Sequence, residues 1–325
     1  MRPFTYERAE TADEALALHA GGDVHYLGGG TNLVDLMRLG VARPERLVDV
    51  TRLPFDRIET TGDGGLVIGA AVRNSDLAAD RAVREHHPAL AQAVLSGASG
   101  QIRNQATVGG NLLQRTRCSY FQNVTKPCNK REPGSGCPAR DGEHHNHAIL
   151  GHTANCVATH PSDMAVALLA LDASVRIRGR AGERVIRLND FYRLPGDDPA
   201  RDTTLEPGDL VTAVEVPPLG MPSRYRKVRE RASFAFALVS IAAALDVEDG
   251  TIRGCRVALG GVAHRPWRAR RAEEALRGAP ATETSYLRAA HAEMENAHPL
   301  RGNRYKVQLA TNLIVRTLSG LGDGS

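Results

Sequence analysis

The chain has 325 residues, of which 42% are hydrophobic and 24% charged, with a net charge of +4. That is enough for two or three domains of ordinary size, and Arg is interspersed with Asp and Glu in no basic block that would suit a nucleic acid. No run of eighteen apolar residues occurs, so no membrane span is expected.

The first fifty residues alternate element types. Ala12–Ala20 reads as a helix capped by Thr11, His25–Leu27 as a strand, Gly28–Asn32 as a tight loop, Leu33–Leu39 as a helix and Arg46–Val50 as a strand. Gly65–Val72 reads as a buried strand, followed by a helix that Ser75 can cap and an Ala-rich helix over His87–Leu95. After a long proline- and glycine-rich segment, Asp163–Leu171 reads as an apolar helix, and Ser174–Arg178 and Leu210–Val216 as strands. Composition shifts near residue 220, which places a boundary at Met221-Pro222. Beyond it come a basic stretch (Arg224–Arg231), an apolar run (Phe234–Val247), a strand (Ile252–Leu259), three helices (Arg268–Leu276, Ser285–Glu295, Tyr305–Leu318) and a frayed tail over Gly320–Ser325.

The start Met1-Arg2-Pro3-Phe4 carries neither an apolar targeting core nor a twin-arginine signal, and five cysteines in a long chain without a signal do not read as a disulfide framework. The expected compartment is the cytoplasm, with the periplasm reached only by co-export with a signal-bearing partner.

Two loops carry the chemistry of anion binding. Backbone N–H groups approach a phosphate closely only where side chains are absent, so glycine is the residue required. Leu27-Gly28-Gly29-Gly30-Thr31-Asn32-Leu33 lies between an expected strand and helix. It is not the dinucleotide fingerprint, because Leu33 stands where a third glycine belongs, and no Lys-Ser/Thr pair follows to make a P-loop. Thr107-Val108-Gly109-Gly110-Asn111 is a second such loop. The bland alternative for each is a strand-to-helix turn that needs positive φ. Together they could grip a pyrophosphate from both sides.

Four of the five cysteines, Cys118, Cys128, Cys137 and Cys156, fall within 39 residues, in a segment too rich in Pro and Gly for regular structure. Their spacing is Cys-x9-Cys-x8-Cys-x18-Cys, neither a ferredoxin pattern nor a zinc knuckle, so spacing leaves a 4Fe–4S cluster and an all-cysteine zinc site equally open. Five histidines (His144, His145, His147, His152, His160) crowd the same segment and read mostly as solvated loop residues. Cys255 reads as a small buried hydrophobe in a strand.

These motifs, with Ala98–Asn104, Pro161-Ser162-Asp163-Met164-Ala165 and Leu259–Ala263, resemble in order the flavin-binding medium subunit of the molybdenum hydroxylases, the family of carbon monoxide dehydrogenase and xanthine dehydrogenase. The resemblance implies an α+β fold: a two-part FAD-binding domain of the vanillyl-alcohol-oxidase / CO dehydrogenase flavoprotein type over residues 1–221, then a smaller α+β domain over 222–325. It implies that Leu27, Gly28, Gly29, Gly30, Thr31, Asn32 and Leu33 hold the FAD pyrophosphate, and that Thr107, Gly109, Gly110 and Asn111 touch its other face. Asp163 would bond the adenosine or ribose part, and Lys227 would lie near the flavin ring.

Ordinary relatives have only a few residues between the Gly-Gly-Asn loop and the Ser-Asp element. Here about 113–160 intervene, similar to the insertion of bacterial aldehyde oxidoreductases whose flavin subunit also holds a 4Fe–4S cluster, with Cys118, Cys128, Cys137 and Cys156 as ligands. A related insertion exists in the hydroxybenzoyl-CoA reductase type, and xanthine dehydrogenase-like and zinc-stapled subunits are the alternatives. A stand-alone FAD oxidase is disfavoured, since no His or Cys in the loops is placed as a covalent flavin anchor. The implied partners are a large molybdopterin subunit, a small 2Fe–2S subunit and an external acceptor, whether a ferredoxin-like protein, a quinone or dioxygen.

Overall fold

The computed structural model describes residues 1–322. Thr5–Arg8 and Val24–Leu27 both pair in parallel with the central strand Arg46–Asp49. Parallel neighbours need crossovers, and the helices Ala12–Leu18 and Leu33–Arg38 supply them. Thr11 caps the first helix as expected, its hydroxyl accepting from Glu14 N at 3.1 Å. Ala9, Ala15, Val48 and Leu53 form a small core beneath this sheet.

The next sheet is antiparallel, in the order Ile58–Thr60, Leu66–Gly69, Leu210–Val216, Ser174–Gly179, Gly182–Arg187. The chain leaves it after Gly69 and returns at Ser174. Every site element between the first glycine loop and Asp163 lies on that excursion. Leu77, Leu90, Val94, Val108, Leu168 and Phe191 bury its helices in one core with the sheet.

The C-terminal part is a four-stranded antiparallel sheet, ordered Trp267–Arg268, Thr251–Gly260, Val239–Glu248, Ser223–Val228. Helices Arg270–Leu276, Glu283–Met294 and Tyr305–Gly322 follow. Along Val239–Glu248, residues Val239, Ile241, Ala243 and Leu245 face the core beside these helices, whereas Ala242 faces the core of the N-terminal body. Burial on both faces is why this stretch reads as a continuous apolar run.

The cysteine segment belongs to both parts. Its only regular pieces are a short helix, Ser119–Gln122, and a single 3-10 turn, Pro138–Arg140. Ile149 and Leu150 are buried in the C-terminal core, and their amides donate to Val262 O at 2.8 and 3.0 Å.

Several expected boundaries shift. Gly65–Val72 is a strand only over Leu66–Gly69, because Ala71 N turns away to Phe55 O and a Cβ on Gly69 would lie 2.1 Å from that same oxygen. Ser75 lies inside its helix, which begins at Asn74 with Arg73 as the capping residue. The apolar run read over Phe234–Val247 becomes a strand from Val239 onward. The last helix runs to Gly322, so Gly320 is not frayed, while residues 323–325 lie outside the described residues.

That last helix buries Lys306 completely. Its ammonium donates to Gly261 O at 2.7 Å and His147 O at 3.1 Å, and no carboxylate pairs with it among the described residues. Burial lowers its pKa to about 7. Between about pH 7 and its unfolded value the unfolded chain binds the extra proton, so this group makes stability rise with pH across that window. Lys306→Met, a neutral side chain of similar reach, is expected to flatten that rise relative to the unsubstituted chain. Urea unfolding midpoints at pH 7 and pH 9 measure it.

Candidate functional site: a flavin cleft beside a cysteine-lined void

The first glycine loop packs directly on the approach to the second. A Cβ on Gly29 would sit 2.1 Å from Gln105 O, and one on Gly28 would sit 2.8 Å from Thr107 Oγ1. Gly30 has φ of +72°, a conformation that disfavours side chains. Thr107 caps the short helix Val108–Leu112, accepting from Gly110 N at 3.2 Å, and Gly109 N donates to Ala70 O at 2.8 Å. The two loops therefore sit against each other rather than on opposite sides of a gap.

Beyond them opens a cleft of about 680 Å3. Thr31, Asn32, Gly110, Asn111, Asp163 and Lys227 line it, whereas Gly28, Gly29, Gly30, Thr107 and Gly109 serve the packing behind that surface. Leu27 ends its strand and Leu33 begins its helix, and neither lines the cleft. Asn111 ties the second loop to the Ser-Asp element: its Oδ1 accepts from Ser162 Oγ at 2.6 Å, and Ser162 caps the helix Asp163–Ala170.

Asp163 and Lys227 meet. The ammonium lies 2.7 Å from Asp163 Oδ2 and donates to Ser96 O at 3.1 Å, while Tyr225 OH donates to Asp163 Oδ1 at 2.5 Å. Both charged side chains are buried. Tyr225 and Lys227 reach the same carboxylate because residues two apart on a strand share a face. Roles for these two residues at separate ends of an extended cofactor do not fit this contact, which puts both at one place on the cleft wall.

Asn32 Nδ2, Asn74 Oδ1 and Arg117 Nε are among the polar atoms at this cleft that are buried without a partner among the described residues. Asn32 Oδ1 is already used, accepting from Arg115 N at 2.8 Å, so its amide nitrogen is a donor held in place for a ligand. A buried polar group without a partner is costly, and a polar, anionic ligand such as FAD would satisfy the Asn32 and Arg117 donors. The donor set and the cleft's size suit that cofactor. Asn74 and Arg117 escaped the sequence reading. Arg117 adjoins Cys118, and no local pattern distinguishes a guanidinium that turns into a cleft from a solvated one.

Next to the cleft lies a small void lined by Cys118, Cys128, Cys137 and Cys156. Gly136 N donates to Asn129 Oδ1 at 2.7 Å, and Cys128 N donates to Ser135 Oγ at 2.9 Å, which closes the Pro-Gly-rich turn. Burial pushes the Cys118 and Cys156 thiols up to about 11 and about 12, and raises Cys137 as well. As free thiols they stay protonated at neutral pH, so any metal bound here must displace protons. Cys255 stands apart, half-buried on Thr251–Gly260 with its Sγ 3.5 Å from Glu273 O.

The histidines are less solvated than expected. His144 and His147 are buried, and His160 is half-buried edge-on to Tyr192. His147 Nε2 lies 3.1 Å from Cys118 Sγ. His145 is exposed, and His152 is half-buried with Nε2 2.6 Å from His298 O.

A carboxylate anchors the segment to the body. Asp202 receives Lys130 Nζ at 2.5 Å and Arg115 Nε at 2.8 Å. Burial alone would raise the Asp202 pKa, but Lys130 and then Arg115 outweigh it and hold the group ionised. The Arg115 backbone amide holds Asn32 while its side chain reaches Asp202, so one residue links the flavin loop to the cluster that holds the cysteine segment.

Comparison with known proteins agrees with this geometry. Residues 2–219 match the FAD binding domain in molybdopterin dehydrogenase, and residues 223–321 match the CO dehydrogenase flavoprotein C-terminal domain. The chain belongs to the family of FAD-binding medium subunits of molybdenum hydroxylases, which are oxidoreductase components. It is 52% identical to the aldehyde oxidoreductase FAD-binding subunit PaoB of Escherichia coli K12 over 323 residues, 98% of each chain. It is 29% identical to the glyceraldehyde dehydrogenase medium chain of Sulfolobus acidocaldarius, covering 85% of this chain and 81% of that one. Among solved structures it resembles carbon monoxide dehydrogenase from Hydrogenophaga pseudoflava lacking the Mo-pyranopterin moiety of its cofactor. There the TM-score is 0.77 and the identity 27%, over 99% and 98% of the two chains. The two-domain α+β architecture expected from the motifs is the fold of this family.

The loop contact makes a direct prediction. Gly29→Ala drives a Cβ into a backbone oxygen, so the loops must part, at a cost of about 1–3 kcal/mol. The purified variant is expected to carry well under half the FAD of the unsubstituted chain, read as flavin absorbance per protein, while its far-ultraviolet circular dichroism stays unchanged.

Proposed function

We propose that this chain is the FAD- and 4Fe–4S-binding electron-transfer subunit of a heterotrimeric, molybdenum-dependent aldehyde oxidoreductase. It would take electrons from a large molybdopterin subunit through a small 2Fe–2S subunit and pass them to an external acceptor, a ferredoxin-like protein, a quinone or dioxygen. The observation that carries the aldehyde reading is the 52% identity to an aldehyde oxidoreductase FAD-binding subunit across nearly the whole of both chains, against 27% for a xanthine dehydrogenase FAD-binding subunit of Escherichia coli.

Bound FAD supplies the electron-accepting chemistry, and the protein supplies binding, orientation and electrostatics. Asn32 Nδ2 and Arg117 offer donors to the cofactor's anionic and polar atoms. Gly110 and Asn111 bring backbone close to it, and the Gly28–Gly30 packing fixes the height of the loop that carries Thr31 and Asn32. Asp163 and Lys227 neutralise one another at the cleft wall, so the site gains a fixed dipole rather than a bare charge.

Four thiols ring a common void, a donor set that suits a 4Fe–4S cluster, which takes four thiolates. Among the described residues, no helix is long and apolar enough to cross a membrane.

Replacing one ligand tests this. Cys137→Ser, in anaerobically purified protein, is expected to lose most of the iron, about four per chain in the unsubstituted protein, while keeping its FAD. Unchanged iron, or zinc in its place, would contradict the cluster reading.

A further inference from the structure

We propose that His147 is a positioning residue for the cluster: it donates an N–H···S hydrogen bond to Cys118 and thereby raises the cluster's reduction potential. This rests on the reading above that the four cysteines hold an iron–sulfur cluster.

Cys118 occupies a special place among the four ligands. It lines both the flavin cleft and the cysteine void, whereas Cys128, Cys137 and Cys156 line only the void. It is therefore the sulfur on the wall that the two cofactor sites share. His147 lines the cleft as well, with Nε2 3.1 Å from that sulfur. Among the described residues, His147 is the side chain with a nitrogen at hydrogen-bond distance from one of these four sulfurs.

The tautomer follows from the chemistry. A ligating Cys118 sulfur carries no proton, so a hydrogen bond at 3.1 Å requires the proton on Nε2. Nδ1 is buried without a partner among the described residues, which leaves it as the bare nitrogen of a neutral ring. The ring is not free to leave. His147 is buried, and its carbonyl is held by Asn303 Nδ2 and by Lys306 Nζ, each at 3.1 Å, from the turn before and the start of the last helix. The C-terminal helix thus fixes the donor, and the donor is aimed at the cysteine that also lines the cleft.

A hydrogen bond to a ligand sulfur stabilises negative charge there, and stabilises it more after the cluster has gained an electron. Such bonds raise the reduction potential, as cluster environments generally do when they donate to sulfur. No proton transfer and no change of ligand is involved.

The test uses the full chain, purified anaerobically, as the unsubstituted protein and as His147→Leu and His147→Gln. Each is assayed for iron and FAD, then titrated potentiometrically with the cluster followed by electron paramagnetic resonance. His147→Leu removes the donor at similar volume, and His147→Gln keeps an N–H. The expected result is full iron in both, with a midpoint in His147→Leu lowered by at least a tenfold change in the oxidised-to-reduced ratio, ~59 mV for a one-electron couple. His147→Gln should recover at least half of that shift. If His147→Leu loses its cluster while His147→Gln keeps it at the normal potential, the requirement for a donor is also supported. A full-iron His147→Leu chain with an unchanged midpoint overturns the inference, and so does loss of iron from both variants, since the residue would then be only a structural support. Absence of iron from the unsubstituted protein overturns the cluster reading itself, and the iron count distinguishes that outcome from the others.

Discussion

The buried pairing of Asp163 with Lys227 is the contact on which the rest of the site depends. Asp163 opens a helix of the N-terminal body, and Lys227 lies on the edge strand Ser223–Val228 of the C-terminal sheet. Their contact, with Tyr225 on the same carboxylate and Ser96 O on the same ammonium, draws the two parts together along one wall of the cleft. Removing either partner would leave an uncompensated charge in a dry place, a change that typically costs about 3–5 kcal/mol. The pair is therefore a locating device more than a source of net stability. It fixes where the C-terminal sheet stands relative to the glycine loops, and so fixes the cleft.

A second polar hub performs the same task for the cysteine segment. That segment has little regular structure to hold it. It is secured by the Asp202–Lys130–Arg115 cluster on one side and by Ile149 and Leu150 in the C-terminal core on the other. Because Arg115 also fixes Asn32, and Cys118 borders the flavin cleft, the two candidate cofactor sites are built as one unit. Their closeness is what a relay between two redox groups requires, and both are reached by residues within a few positions of the Gly-Gly-Asn loop.

Much of this was legible in the sequence where chemistry is local. Glycine at Gly28–Gly30 and Gly109–Gly110 signals close backbone approach, and the structure shows the contacts that forbid a side chain at Gly29. Thr11 as a cap, the apolar helix after Ser162 and the edges of Leu210–Val216 follow from local pattern and hold in the fold. What depends on distant partners was not legible. Nothing near Asp163 says that Lys227 will neutralise it, and nothing near His147 says that Asn303 and Lys306 will hold it against a cysteine. Solvated histidines were expected because the local sequence is polar. His144 and His147 are buried because residues 300–306 cover them, as the bond from Gly302 N to His144 Nε2 shows. Ser75 resembled a cap, but Asn74 N is taken by Ala106 O, and the helix begins two residues earlier than a Ser75 cap would allow.

The central claim is that one chain holds a flavin and an iron–sulfur cluster side by side. Its most direct test is an anaerobic count of iron, zinc and FAD on a single sample of the pure full chain, with its visible spectrum. The account predicts about four irons and one FAD per chain, negligible zinc, and a broad absorption that bleaches on reduction beneath the flavin bands. FAD with one zinc and no iron would contradict it, leaving a flavin subunit whose cysteine segment is a structural staple.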